Sequence, residues 1–342
     1  MESGNGMQSA KLRAPNIRDV ARRAGVSYQT VSRVLNDSPN IRDSTRERVR
    51  DAINELGYRP NQAARTLVTS RTRTIGVIAQ QSSHFGPATT IQSIELAARE
   101  AGYRLSITNV TSNDHHAIKA GLDYLMSQSV EAIVFVTPQA RALDAVRELS
   151  VTVPFVALHA NQVDEHRHSM SVDQQAGARL ATRHLIDLGH TEIMHLSGPQ
   201  DWLEAEARMQ GFLDEINEAG LKARAPILGD WSAHFGYYAG LELLRSRDFT
   251  ALFASNDQMA LGFMHACRDM GLSIPHDISV VGFDDIPEAA HFFPPLTTVR
   301  QNFPEIGRRA ISLLLAGLRG ETPVDDGVVL PELIVRDSTA KR

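Results

Sequence analysis

From Thr74 onward the chain alternates short apolar runs with amphipathic stretches, a rhythm that limits the fold more than any other feature of its 342 residues. TIGVIAQ, RLSITNV, AIVFVT and FVALH read as strands, with ATTIQSIELAAREAGY and HHAIKAGLDYLMSQSV as the helices between the first of them. The rhythm resumes with EIMHLSG, a helix over 202–219, ALFASN, a helix over 257–270 and ISVVGFDD. Strands joined through helices require right-handed parallel crossovers, hence an α/β fold of open, doubly wound parallel sheets. Two such series predict two lobes. Ligands of such sheets bind beyond the carboxyl ends of the strands, where His159, Asn256, Asp257, Asp284 and Asp285 stand. A cleft between lobes would gather them from both sides. Carboxylates and amides engage adjacent hydroxyls and Trp231 offers an apolar face, which suits a neutral sugar; strand-end Asp and Asn also serve as helix caps.

The first 73 residues are of another kind. They carry 14 Lys/Arg against 7 Asp/Glu, a net of +7, whereas the remainder carries a net of −12. One end suits a polyanion. Ile17, Val20, Ala21 and Ala24 fall at helical spacing until Gly25 breaks the run, and Ser27 caps a second helix with Val31, Val34 and Leu35 inward. Ser44-Thr45-Arg46-Glu47 reads as a capping box opening a third helix through Val49, Ile53 and Leu56 to Gly57. Helix, glycine turn, helix and supporting helix predict a small all-α helix-turn-helix domain over 15–60. Tyr28, Gln29, Ser32 and Arg33 lie on the outer face of the second helix. Compact hydrogen-bonding side chains there suit base edges in a major groove. Residues 61–68 make barely two turns and need a partner to stay helical, so 61–73 is expected to be a hinge helix and linker. Residues 1–14 have the composition of a disordered N-terminus.

These residues resemble the lactose/galactose repressor (LacI/GalR) family. IRDVARRAGVSYQTVSRVLN, RERV…ELGYRPN and the Ala64…Leu67 segment follow its pattern, as do GDWSA, ASNDQMALG, DISVVGFDD and PPLTTVRQNF, so the likeness covers nearly the whole chain. It implies a helix-turn-helix domain followed by a periplasmic-binding-protein-like body at 74–342, with an N-lobe of about 74–172 and 301–330 and a C-lobe of about 173–300 and 331–342. It implies a regulator of sugar-utilisation genes, released from a pseudo-palindromic operator by a sugar bound between the lobes. A corepressor of opposite sign is the alternative. By position, operator contacts would come from Ile17 and Arg18, from Ser27, Tyr28, Gln29, Ser32, Arg33 and Asn36, and from Thr45, Tyr58, Asn61 and Ala64. Leu67 would wedge into the minor groove at the operator centre, although a plain core role also suits a leucine there. The effector would be held by Arg208, Trp231, Asn256, Asp284, Gln301 and Phe303, with Pro87 lining the N-lobe. Where the family's sugar pocket has asparagine, aspartate and serine, this chain has Val136, His159 and Glu204, so the pocket should still take a pyranose while the hydroxyl pattern or chain length it reads is open. The chain lacks the C-terminal leucine-heptad helix of tetrameric members, so a homodimer is expected.

Other classes fit poorly. No apolar run approaches the roughly 20 residues that span a bilayer and the N-terminus lacks a signal-peptide core, so a cytoplasmic protein without membrane contact is expected. A single cysteine, Cys267, allows no disulfide framework and reads as a core residue. An enzyme would need more than is here: no G-x-G-x-x-G, Walker A or G-x-S-x-G motif occurs, and Asp284-Asp285 would point to opposite faces of a strand. No catalytic residue and no cofactor is expected. Asp164-Glu165-His166-Arg167-His168 reads as a solvated turn, so no metal site is expected.

Overall fold

The computed structural model describes residues 15–35, 38–59, 71–80, 84–110, 114–136, 139, 142, 151–158, 169–321 and 328–342. Residues 1–14, 60–70 and 159–168, on which the expected disordered tail and most of the expected hinge helix fall, lie outside them. The chain divides into two compact units after Thr72.

The first unit contains α1 (Ile17–Ala24), α2 (Tyr28–Leu35) and α3 (Asp43–Leu56). Asn16 Oδ1 accepts from the backbone N–H groups of Arg18 and Asp19, and Asp19 Oδ2 accepts from the Asn16 N–H, a reciprocal cap that starts α1. Gly25 ends it in the left-handed region at φ 65°, which turns the chain at once into α2. Ser27 Oγ accepts from the Thr30 N–H at 3.1 Å. The box expected at Ser44–Glu47 does not form. The third helix starts earlier, with Arg42 at its N-cap and no side-chain cap, because the Arg42 carbonyl already accepts from Thr45 and Arg46. Val20, Val31, Val34, Val49, Ala52 and Tyr58 make the core.

The second unit opens with β1 (Thr74–Gln80), α4 (Phe85–Glu100), β2 (Arg104–Val110), α5 (His115–Ser127), β3 (Ala132–Val136), β4 (Phe155–Leu158) and β5 (Ser169–Val172). It continues through α6 (Gln174–Asp187), β6 (Ile193–Ser197), α7 (Leu203–Glu218), β7 (Ile227–Leu228), α8 (Ala233–Ser246), β8 (Ala251–Ala254), α9 (Asp257–Asp269) and β9 (Ser279–Asp284). After a 3-10 turn (Pro287–His291) come β10 (Thr297–Arg300), α10 (Phe303–Leu318), β11 (Val328–Val329) and β12 (Glu332–Ile334). Two six-stranded sheets result, ordered β11-β5-β4-β3-β1-β2 and β12-β10-β9-β8-β6-β7. Among the strands of the described residues, only β12 pairs antiparallel. Every residue of β3, β6, β8 and β9 is buried, because helices cover both faces of a parallel sheet. In the N-lobe, Ile94, Ile306 and Leu314 back one face while Ile118, Leu122 and Leu125 back the other. In the C-lobe, Phe263 and Cys267 stand opposite Phe212 and Phe283 across the sheet. The chain passes between the sheets after β5, after β10 and between β11 and β12. In each sheet the order reverses around one strand, β1 or β6, which opens a crevice at the strand ends.

Candidate functional site

The crevices face each other across one cleft of about 780 Å³, its open mouth included. Pro87, Glu204, Arg208, Trp231, Asn256, Asp284, Gln301 and Phe303 all line it, as does Val136, whereas His159 lies outside the described residues. Each stands on a strand end or the first turns of the helix that follows: Glu204 and Arg208 after β6, Trp231 after β7, Asn256 after β8, Asp284 at the end of β9, Gln301 and Phe303 after β10.

Trp231 is the structural centre of the C-lobe wall. Its backbone is left-handed, φ 70°, a strained state that persists because its surroundings fix it. Asn256 Nδ2 donates to the Trp231 carbonyl at 2.9 Å while Asn256 Oδ1 caps α9 by accepting from Met259 N–H. Gly198 leaves the room the indole fills, since a Cβ there would overlap the ring. The ring meets Trp202 edge to face at 5.6 Å between centroids, and Trp202 in turn meets His84 at 5.4 Å. On the N-lobe side Phe85 meets Phe303 at 5.9 Å. Aromatic walls of this kind cover the C–H faces of a ring ligand.

Beneath them lies a buried polar chain. Arg208 Nε donates to Gln174 Oε1 at 2.8 Å, Gln174 Nε2 to Gln301 Oε1 at 2.8 Å, and Gln301 Nε2 to Asp284 Oδ1 at 2.7 Å. Arg208 Nη2 closes the circuit 3.5 Å from Asp284 Oδ1, its Nη1 donates to the Ser255 carbonyl, and the guanidinium lies 3.9 Å from the Phe283 ring centre. Burial pushes the Asp284 carboxyl up and Arg208 down from their ordinary values, each opposed by the other's charge. Asp285 turns away to Arg300 and Arg336, both at 2.6 Å, so the two aspartates share no chemistry. Glu204, on the first turn of α7, has its carboxyl pushed up to about 7 by burial, opposed by its own backbone N–H and by Arg208.

The α7 entry also ties the lobes. Trp202 forms an isolated antiparallel bridge with Gln139, and Leu203 packs against the N-lobe core beside Phe135 and Ala142. Gln174, Trp202, His84 and Phe85 are cleft residues the sequence reading passes over. A tryptophan just before the helix after β6, and a glutamine opening the helix after β5, were the available signals.

In the first unit Arg18, Ser27, Tyr28, Gln29 and Arg33 are exposed, Ser32 and Thr45 half-buried, and Ile17 half-buried against the core. Tyr58 is in the core itself. Asn36, Asn61, Ala64 and Leu67 lie outside the described residues.

Residues 16–61 match the family of bacterial regulatory proteins, lacI family, and residues 182–339 match a periplasmic binding protein-like domain. The lactose operon repressor of Escherichia coli (strain K12) is 33% identical over 323 residues, spanning 94% of this chain and 89% of that protein. The solved lac repressor dimer bound to operator and the anti-inducer ONPF superposes with a TM-score of 0.82 at 32% identity, over 96% of this chain and 100% of that one. A transcriptional regulator CelR–cellobiose complex superposes at 0.69 and 31% identity, over 95% and 99%. With a helix-turn-helix unit and a two-sheet body each matched in kind, this chain belongs to the lacI family of bacterial regulatory proteins and is a DNA-binding transcriptional regulator.

Proposed function

We propose that this chain is a cytoplasmic, homodimeric repressor that a sugar bound in the cleft releases from a pseudo-palindromic operator. The carrying observation is the cleft itself, in which the Trp202–Trp231 wall stands over the buried Arg208–Gln174–Gln301–Asp284 chain, in one polypeptide with an exposed helix-turn-helix face. The likeness to a regulator in complex with cellobiose supports a sugar, and the likeness to a repressor dimer on its operator supports the DNA and dimer readings. Tyr28, Gln29, Ser32 and Arg33 read base edges. A second copy pairs on the C-lobe face where Tyr238, Leu261 and a 98% exposed Phe293 stand together. Among the described residues no helix is long and apolar enough to cross a membrane. The test is a melting-temperature screen of mono- and disaccharides, followed by anisotropy titrations of operator duplexes, selected from a random pool, at fixed salt. A binding sugar that weakens operator affinity supports the reading; one that strengthens it reverses the sign; one that leaves it unchanged removes the coupling.

A further inference from the structure

Two buried polar atoms of the cleft have no hydrogen-bond partner among the described residues, one an acceptor and one a donor: Oε2 of Glu204 and Nε1 of Trp231. Trp231 is more than nine-tenths buried, and both residues line the cleft. The charged and amide chain beneath bonds within itself, since Arg208 serves Gln174, the Ser255 carbonyl and Asp284, and Gln301 serves Gln174 and Asp284. Satisfying Glu204 and Trp231 therefore falls to the ligand. An indole N–H only donates and an ionised carboxylate only accepts, whereas a hydroxyl does both. Sugar hydroxyls meet the two demands without bringing charge. A phosphate or carboxylate would suit Trp231 but set an anion against Glu204, and Arg208 is already held by Asp284. An ammonium would suit Glu204 and leave the indole N–H unmet.

Resting on the sugar reading above, we propose that Glu204, acting with Trp231, is the specificity-determining residue of the cleft: it accepts from a hydroxyl of an uncharged sugar and rejects phosphorylated and carboxylated sugars. The position follows directly from the interlobe segment Trp202–Leu203, so the carboxylate is held by the same first turn that ties the lobes. Because burial raises the carboxyl to about 7, the experiment is run at pH 8, where it is ionised.

Full-length wild type, Glu204→Gln and Trp231→Phe are titrated calorimetrically with glucose, galactose, cellobiose, lactose and maltose. The charged counterparts are glucose 6-phosphate, galactose 6-phosphate, gluconate, cellobionate, lactobionate and maltobionate, with glucosamine as the cation. For whichever sugar binds, its anionic counterpart should bind at least about 10-fold more weakly to wild type, and Glu204→Gln should shrink that gap to about 3-fold or less. Trp231→Phe should weaken the neutral sugar. Glu204→Ser, smaller and uncharged, repeats the test should the glutamine variant fold poorly. An anion that binds wild type as well as its parent sugar, or a gap that survives in both Glu204 variants, overturns the proposal. So does glucosamine binding more tightly than glucose. If no sugar in the panel binds, the sugar reading falls and takes this proposal with it; if sugars bind without charge discrimination, only this proposal falls.

Discussion

Replacing Glu204 by glutamine should make the unliganded protein more stable at alkaline pH and leave it unchanged in acid. The carboxyl titrates near 4.5 in an unfolded chain and near 7 in the folded cleft, because burial penalises its charged form. Between those values the folded state keeps a proton that the unfolded state has released, so stability falls as pH rises, and the loss is complete above the folded value. A displacement from 4.5 to about 7 corresponds to about 3 kcal/mol, most of it lost between pH 5 and pH 8. Glutamine carries no titrating proton. Asp284 and Asp257, also raised by burial, remain in both proteins, and the Asp284 charge adds to what raises Glu204. Urea unfolding of the ligand-free chain, followed by tryptophan fluorescence, measures the gap between variant and wild type at each pH. It should widen by about 2–3 kcal/mol from pH 5 to pH 8, on the same shift. Parallel profiles would refute the reasoning, since they would mean that the carboxyl titrates alike in the folded and unfolded chains. A ligand that donates to the ionised carboxylate reverses part of the loss, so its affinity should rise with pH through about 7.

Gly198→Ala puts a methyl where the Trp231 ring lies, and should cost about 1–3 kcal/mol and shift the indole emission, read by denaturation and fluorescence. Arg208→Met strips the cation from Asp284 and should destabilise by about 3–5 kcal/mol in the same unfolding assay. Asn16→Ala removes the side-chain half of the α1 cap, leaving Asp19 to accept from the residue-16 N–H, and should cost about 1 kcal/mol, seen as a lower melting temperature of the DNA-binding unit. Arg33→Ala should weaken binding at particular operator base pairs by about 1–3 kcal/mol while changing random-DNA affinity little; equal losses on both would count against base reading.

The strand–helix rhythm made the two lobes legible because β1, β3, β6, β8 and β9 are mostly apolar and buried almost throughout. It did not mark α6 or α8. Their packing faces are built from small residues, Gly177 against the Phe283 ring and Ala178 against α7 in one and Gly236 and Gly240 against α9 in the other, which leave little apolar contrast to read. Two-residue strands such as β7 and β11 are below any periodicity. The cleft was legible where a polar residue interrupts an apolar strand end, as at Asn256 and Asp284. Sequence offered both a ligand contact and a helix cap for Asn256, and in the fold its amide caps α9 and holds the Trp231 carbonyl while the residue lines the cleft. A single side chain's hydrogen bonds depend on neighbours 25 residues away, which spacing does not reveal.

The segment from Trp202 to Glu204 explains how occupancy of such a cleft acquires leverage. Its first residue bridges to Gln139 and forms an aromatic wall, its second is packed in the N-lobe core, and its third presents an unmet acceptor to the ligand space. A ligand that satisfies Glu204 and leans on Trp202 therefore acts on the very turn that sets one lobe against the other, and its binding energy need not be transmitted through a long chain of contacts. The coupling is bounded by the difference in ligand affinity between lobe arrangements, so a 100-fold change in operator affinity requires about 2.7 kcal/mol of such difference. Two hydrogen bonds to buried partners, each worth about 1–1.5 kcal/mol and made in one arrangement only, supply an amount of that order. Leu203→Ala should then weaken the linkage between sugar and operator more than it weakens either binding event alone, because it loosens the turn without touching either surface.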